Sequence, residues 1–168
     1  MNNQQKTKLT ARIRLHIWII IIGLALSGIT AFPIQSELAV LVNHAGNNPG
    51  IVNQWLVHVY RAVSVTNSTY PFLSYGTDWL AFAHLVLAIL FIGPLVNPVK
   101  NVWVVQFGII AAVLIFPLAF IAGGIRGIPL FWRLIDCSFG IVALIVLLPC
   151  YQWIVRLTPG PSSRERGV

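Results

Sequence analysis

Arg126, Arg133 and Asp136 fall in one short stretch, Gly123-Gly124-Ile125-Arg126-Gly127-Ile128-Pro129-Leu130-Phe131-Trp132-Arg133-Leu134-Ile135-Asp136, between two long apolar runs. The chain is 9% charged and 57% hydrophobic. Charge placed beside a bilayer is costly enough to call for a partner or a purpose. Two guanidiniums and a carboxylate allow two kinds of work. Arg133 and Asp136, three residues apart, can close an ion pair that sets helix register. Alternatively, Arg126 and Arg133 can bind an anionic or polar headgroup while Asp136 orients one of them. Backbone N–H groups at the helix start behind Pro129 would also favour an anion.

The other titratable groups are few. His84 stands six residues after Asp78, about 9 Å deeper at helical rise. In an apolar segment it is suited to a cross-helix hydrogen bond, proton transfer or ligation. A membrane enzyme would use His84 with Asp78 or Asp136, and Ser138 could supply a hydroxyl beside them. No Gly-x-Ser-x-Gly, His-Glu-x-x-His, Cys-x-x-Cys or phosphate-loop signature occurs. Gln106 and Gln152 are too few to line an aqueous path through one chain. Cys137 and Cys150 share one predicted helix, about 20 Å apart by helical rise, too far to bridge. They read as small packing residues.

These groups must be carried by membrane helices. Mean hydropathy is +0.82 over 168 residues, which a soluble domain of this size with a polar shell does not reach. Apolar runs predict four transmembrane helices, about 17–34, 79–96, 102–122 and 129–155. Barrel strands would alternate over about ten residues and do not. The expected architecture is an all-α integral membrane four-helix bundle. Residues 1–14 form an N-terminal tail, 15–157 the membrane domain and 158–168 a flexible C-terminal tail. The first run is read as a retained span rather than a signal peptide.

The net charge of +7 does not indicate nucleic acid, because it is sided. Lys6, Lys8, Arg12, Arg14, Lys100, Arg156, Arg164 and Arg166 fall on one side of a four-span topology. Arg61, Arg126 and Arg133 fall on the other with Glu37, Asp78 and Asp136. The positive-inside rule places both termini in the cytoplasm, with a bacterial cytoplasmic membrane the expected location. The partners expected are the lipid bilayer and a second copy or a larger membrane complex.

In the outer loop, 35–78, Asn48-Pro49 is a good helix start. Ile51, Val52, Trp55, Leu56, Val59, Ala62 and Val63 follow on one face, with Asn53, Gln54, His58 and Arg61 on the other. That pattern predicts an amphipathic interfacial helix over 49–64, able also to cover the bundle mouth. A shorter helix is expected from Ser36-Glu37 to about Gly46. Asn67-Ser68-Thr69 matches a glycosylation acceptor, a short motif that chance supplies easily.

Membrane helices pack through small residues. The predicted packing stripes are Gly23, Ser27 and Ala31; Ala81 and Ala88 with His84 between them; Gly108, Ala112, Ala119 and Gly123; and Arg133, Asp136, Gly140 and Ala143. They turn His84, Arg133 and Asp136 inward. The expected site is an outward-opening cluster of Asp78, His84, Arg126, Arg133 and Asp136, with His58 and Arg61 as a possible lid. The function expected is non-enzymatic binding of a small polar or lipid-like ligand, or of a partner subunit.

Arg14-Leu15-His16-Ile17-Trp18, with Ser27-Gly28 further along, resembles the first helix of cytochrome b membrane subunits over residues 14–28. The resemblance implies a redox subunit holding haem b, or a quinone, near His84. His16 lies at the cytoplasmic side and His84 near the outer side, so they cannot share one iron, and the last two spans lack histidine. The axial pair it implies is therefore His58 with His84. No cofactor is otherwise expected.

Overall fold

The computed structural model describes residues 2–46 and 50–158. The described residues form helices joined by turns, with no strand: α1 (Asn3–Ala31), α2 (Ile34–Ala45), α3 (Ile51–Thr69), α4 (Pro71–Leu90), α5 (Ile92–Val96), α6 (Val102–Pro117), a π-helical turn (Leu118–Ala122), α7 (Gly123–Ile125) and α8 (Leu130–Leu157). Four stretches are long and apolar enough to cross a membrane: Asn3–Ala31, Pro71–Val96, Val102–Ile125 and Leu130–Leu157.

The helix ends differ from the sequence expectation for local reasons. α1 begins at Asn3, within the stretch expected to be a tail. Lysine, arginine and glutamine are good helix formers, and Thr7 and Thr10 donate their hydroxyls to the carbonyls of Asn3 and Lys6 at 3.1 and 3.0 Å. α1 stops at Ala31, ahead of Pro33, which disfavours helix in the residue before it. α4 begins at Pro71 rather than near residue 79. Proline suits a first helical turn. Asp78 therefore lies two turns inside α4 and does not open it, a correction to its expected position. The Asn48-Pro49 start lies outside the described residues, as does 159–168.

The chain divides into two compact units, residues up to Ile22 with those from Ile89 onward, and Gly23–Ala88. In the first unit α6 and α8 meet through glycine. A Cβ on Gly140 would stand 2.9 Å from the Ala112 carbonyl oxygen, and one on Gly108 would stand 2.8 and 2.9 Å from Phe91 Cζ and Leu147 Cδ1. The N-terminal half of α1 packs on α8. Ile13, Ile17, Cys150 and Ile154 are wholly buried, Cys150 Sγ lies 4.0 Å from the Ile13 carbonyl, and the His16 ring meets Trp153 edge-on at 4.9 Å. Both cysteines are free and buried.

In the second unit α1 and α4 meet at Gly28, where a Cβ would stand 2.8 Å from the Ala81 carbonyl oxygen and 2.9 Å from Leu85 Cγ. This corrects the expected stripe on α1. Gly23 has nothing within 4 Å of its would-be Cβ, and Gly23 and Ser27 are exposed. The packed face is turned by one residue, about 100° of helix.

A polar clasp ties α2, α3 and α4. Gln35 donates to Ser64 Oγ at 3.4 Å, Asn67 donates through Nδ2 to Gln35 Oε1 at 2.5 Å, and Ser74 donates to Asn67 Oδ1. The asparagine of the acceptor motif is thus spent on structure and part-buried in a helix. Asn67→Ala will leave Gln35 and Ser74 short of a partner, costing about 1–3 kcal/mol. A lowered thermal midpoint of the purified protein in detergent checks this, and an unchanged midpoint counts against the clasp.

Candidate functional site

The connection from α6 to α8 is built from a proline outward. Pro117 has no N–H and its ring crowds the carbonyl four residues back, and the Leu118 N–H after it is shared between the Leu114 and Ile115 oxygens. The helix continues as the π turn Leu118–Ala122, closed by a bond from the Gly123 N–H to the Leu118 oxygen. Such a turn widens a helix locally and recurs at functional sites.

The chain then leaves α7 through a glycine cap. The Ile128 N–H bonds the Gly123 oxygen at 2.9 Å, and the Gly127 N–H bonds the Gly124 oxygen at 3.1 Å. Gly127 has φ +65°, the left-handed conformation this double bond requires and glycine tolerates. Pro129 then caps α8, with φ −58° and ψ 145°.

The three charged groups take different positions around this turn. Arg126 is exposed at the end of α7, whereas Arg133 and Asp136 are partly buried on α8. Arg133 does not reach forward to Asp136. Its stem lies back across the glycine pair, where a Cβ on Gly123 would stand 2.7 Å from Arg133 Cδ and one on Gly124 would stand 3.6 Å from a terminal guanidinium nitrogen. Helical side chains lean toward the N-terminus, and two glycines leave a bare surface there. The Arg133 Nε is buried with no hydrogen-bond partner. The possible i,i+3 ion pair is therefore absent. No charged pair among the described residues lies within the 4.0 Å of an ion pair.

Arg126 and Asp136 line a cavity of about 270 Å³ whose remaining walls are apolar: Ile115, Leu118, Ala119, Ala122, Gly123 and Ile128. The π turn supplies three of those walls. The arrangement can hold an anion at its charged rim and apolar matter behind it.

The remaining expected site residues lie in the other unit. Ala81 and Ala88 are buried and His84 between them is partly buried. Its Nδ1 lies 2.8 Å from the Leu80 carbonyl oxygen. Asp78 is partly buried, and His58 and Arg61 are exposed. His58 stacks on Trp55 at 5.5 Å, and the Trp55 indole N–H is buried without a partner. No hydrogen bond joins Asp78, His84, His58 and Arg61 to one another. Among the described residues no three of His, Cys, Asp and Glu gather as a metal site.

Sequence reasoning picked out the charged segment but missed its platform. The signals were Pro117 inside an apolar run and the adjacent Gly123 and Gly124. No protein-family model, curated protein or solved structure matches the chain.

Proposed function

We propose that this chain is a small polytopic membrane protein that binds an anionic ligand at the α6–α8 connection, by means of Arg126 and Arg133. The observation that carries the reading is the Arg133 Nε, buried with no partner in a chain that makes no ion pair with its neighbouring carboxylate. A guanidinium so placed is matched by a phosphate or carboxylate oxygen. The sided distribution of basic residues supports cytoplasmic termini, and with them an outer position for this connection and α3 at a cytoplasmic membrane. Ile51 and Val65, 74% and 61% exposed on α3, suit a helix lying in the outer interface. Phe139 and Ile145 on α8, 67% and 65% exposed, suit a surface covered by lipid. A four-helix bundle is the assembly this reading implies.

Arg126→Gln and Arg133→Gln will each lower affinity for phosphatidylglycerol or inorganic phosphate by about tenfold, the worth of one charge-assisted hydrogen bond. Native mass spectrometry and thermal-shift titration of the purified protein measure it. Unchanged affinity in both variants refutes the reading.

A second reading is redox, with haem b or quinone near His84. The contact of His84 Nδ1 with the Leu80 oxygen suits a tautomer with Nε2 bare, the arrangement of many ligating histidines. On this reading the gently purified protein carries a Soret band that His84→Ala removes. A spectrum without a Soret band ends the haem form of this reading, and the absence of a co-purifying quinone from the lipid extract ends the other.

A further inference from the structure

The geometry points to an amphiphile as the ligand: an anionic lipid whose headgroup meets Arg126 at the rim while an acyl chain fills the cavity beside the π turn. This rests on the anion-binding reading above and adds what the ligand carries behind its charge.

The cavity is polar only where Arg126 and Asp136 line it, and its other six lining residues are apolar. Water needs two to four polar partners and has about 30 Å³ of liquid volume to itself. Roughly 270 Å³ of apolar space is therefore poorly suited to water, and left empty it forfeits dispersion contacts along every wall. A small inorganic anion satisfies the rim and leaves that space vacant. A chain entering from the bilayer satisfies both.

The wall residues fit this entry. Leu118 is 66% exposed, whereas Ala119 is 7% exposed, so the π turn presents one open and one buried wall to the same space. Small side chains at Ala119, Ala122 and Gly123 keep it open. The charge sign also fits. The connection carries two arginines and one carboxylate, and Asp136 lines the cavity with Arg126, where an anionic group would crowd it. The headgroup is thereby drawn to the Arg126 side, away from Asp136. Zwitterionic lipid gains less from that asymmetry than anionic lipid does.

The test uses the full chain in mixed vesicles. Phosphatidylglycerol and phosphatidylcholine carry the same diazirine-bearing acyl chain, and cross-linked residues are mapped by mass spectrometry. The expected result is labelling within 115–122, about tenfold stronger from phosphatidylglycerol. Arg126→Gln will remove that preference, and Ala122→Leu will remove the labelling itself. Leu118→Trp, at an exposed position, repeats the cavity test should Ala122→Leu fail to fold.

Equal labelling by both lipids, indifferent to Arg126→Gln, overturns the inference, because bulk lipid alone then fills the space. If phosphatidylglycerol binding depends on Arg126 but its chain labels elsewhere, the anion site stands and the inference falls. The inference falls in the same way if inorganic phosphate binds with Arg126 dependence and the lipid does not compete. If no anion binding depends on either arginine, both fall.

Discussion

Valine at Gly140 will separate α6 from α8 and cost at least about 3 kcal/mol of stability, at the upper end for overpacking a tight contact. The Cβ alone arrives 2.9 Å from the Ala112 backbone oxygen, with Phe116 and Ile115 side chains at 3.4 and 3.5 Å. A backbone oxygen cannot swing aside as a side-chain tip can, and valine adds two further methyls in the same gap. Close glycine contact is also the means by which membrane helices associate, since lipid supplies no hydrophobic drive between them. A paired control lies on α1. Gly28→Ala meets the Ala81 oxygen at 2.8 Å, whereas Gly23→Ala meets nothing within 4 Å. Alanine is about 1 kcal/mol better than glycine inside a helix, so Gly23→Ala will hold or raise the thermal midpoint while Gly28→Ala lowers it. Equal effects at the two glycines would move the packed face of α1 back toward Gly23, Ser27 and Ala31.

That reversal of Gly23 and Gly28 shows what a sequence withholds. Four helices long and apolar enough to span a membrane were legible because hydrocarbon demands long apolar runs whatever the packing. Helix ends were less so. Lys6, Lys8 and Arg12 read as tail by charge, yet their side chains cost a helix little. Ser74, Gly76, Thr77 and Asp78 read as loop by polarity, yet Pro71 begins α4 before them. The charged connection was legible as a segment, because arginine is scarce and conspicuous beside lipid. Its geometry was not. Spacing alone allows Arg133 to pair with Asp136, but rotamer direction and the bare surface of two glycines draw the guanidinium the other way. Asn67 was legible only as a modification motif. Its clasp joins Gln35, 32 residues before it, to Ser74 on the next helix, and no local pattern announces it.

Gly123→Ala will behave as an arginine mutation rather than a glycine mutation. The new Cβ would stand 2.7 Å from Arg133 Cδ and 3.0 Å from its Cγ. The obstacle is a flexible stem, not backbone, so the guanidinium moves and the helices stay. Stability will change by less than about 1 kcal/mol, since helix propensity offsets the lost contact. Phosphatidylglycerol or phosphate affinity will fall about tenfold, as for Arg133→Gln. The deciding measurement is the double-mutant cycle. In an Arg133→Ala background the stem is gone, and Gly123→Ala will then have no further effect on affinity. The coupling between the two positions will reach about 1 kcal/mol or more, within the range seen for residues in contact. Additive losses would mean that Gly123 shapes the cavity wall on its own account. Non-additive losses place the glycine pair and Arg133 in one device, in which bare backbone holds a guanidinium away from its nearest carboxylate and leaves it for a ligand.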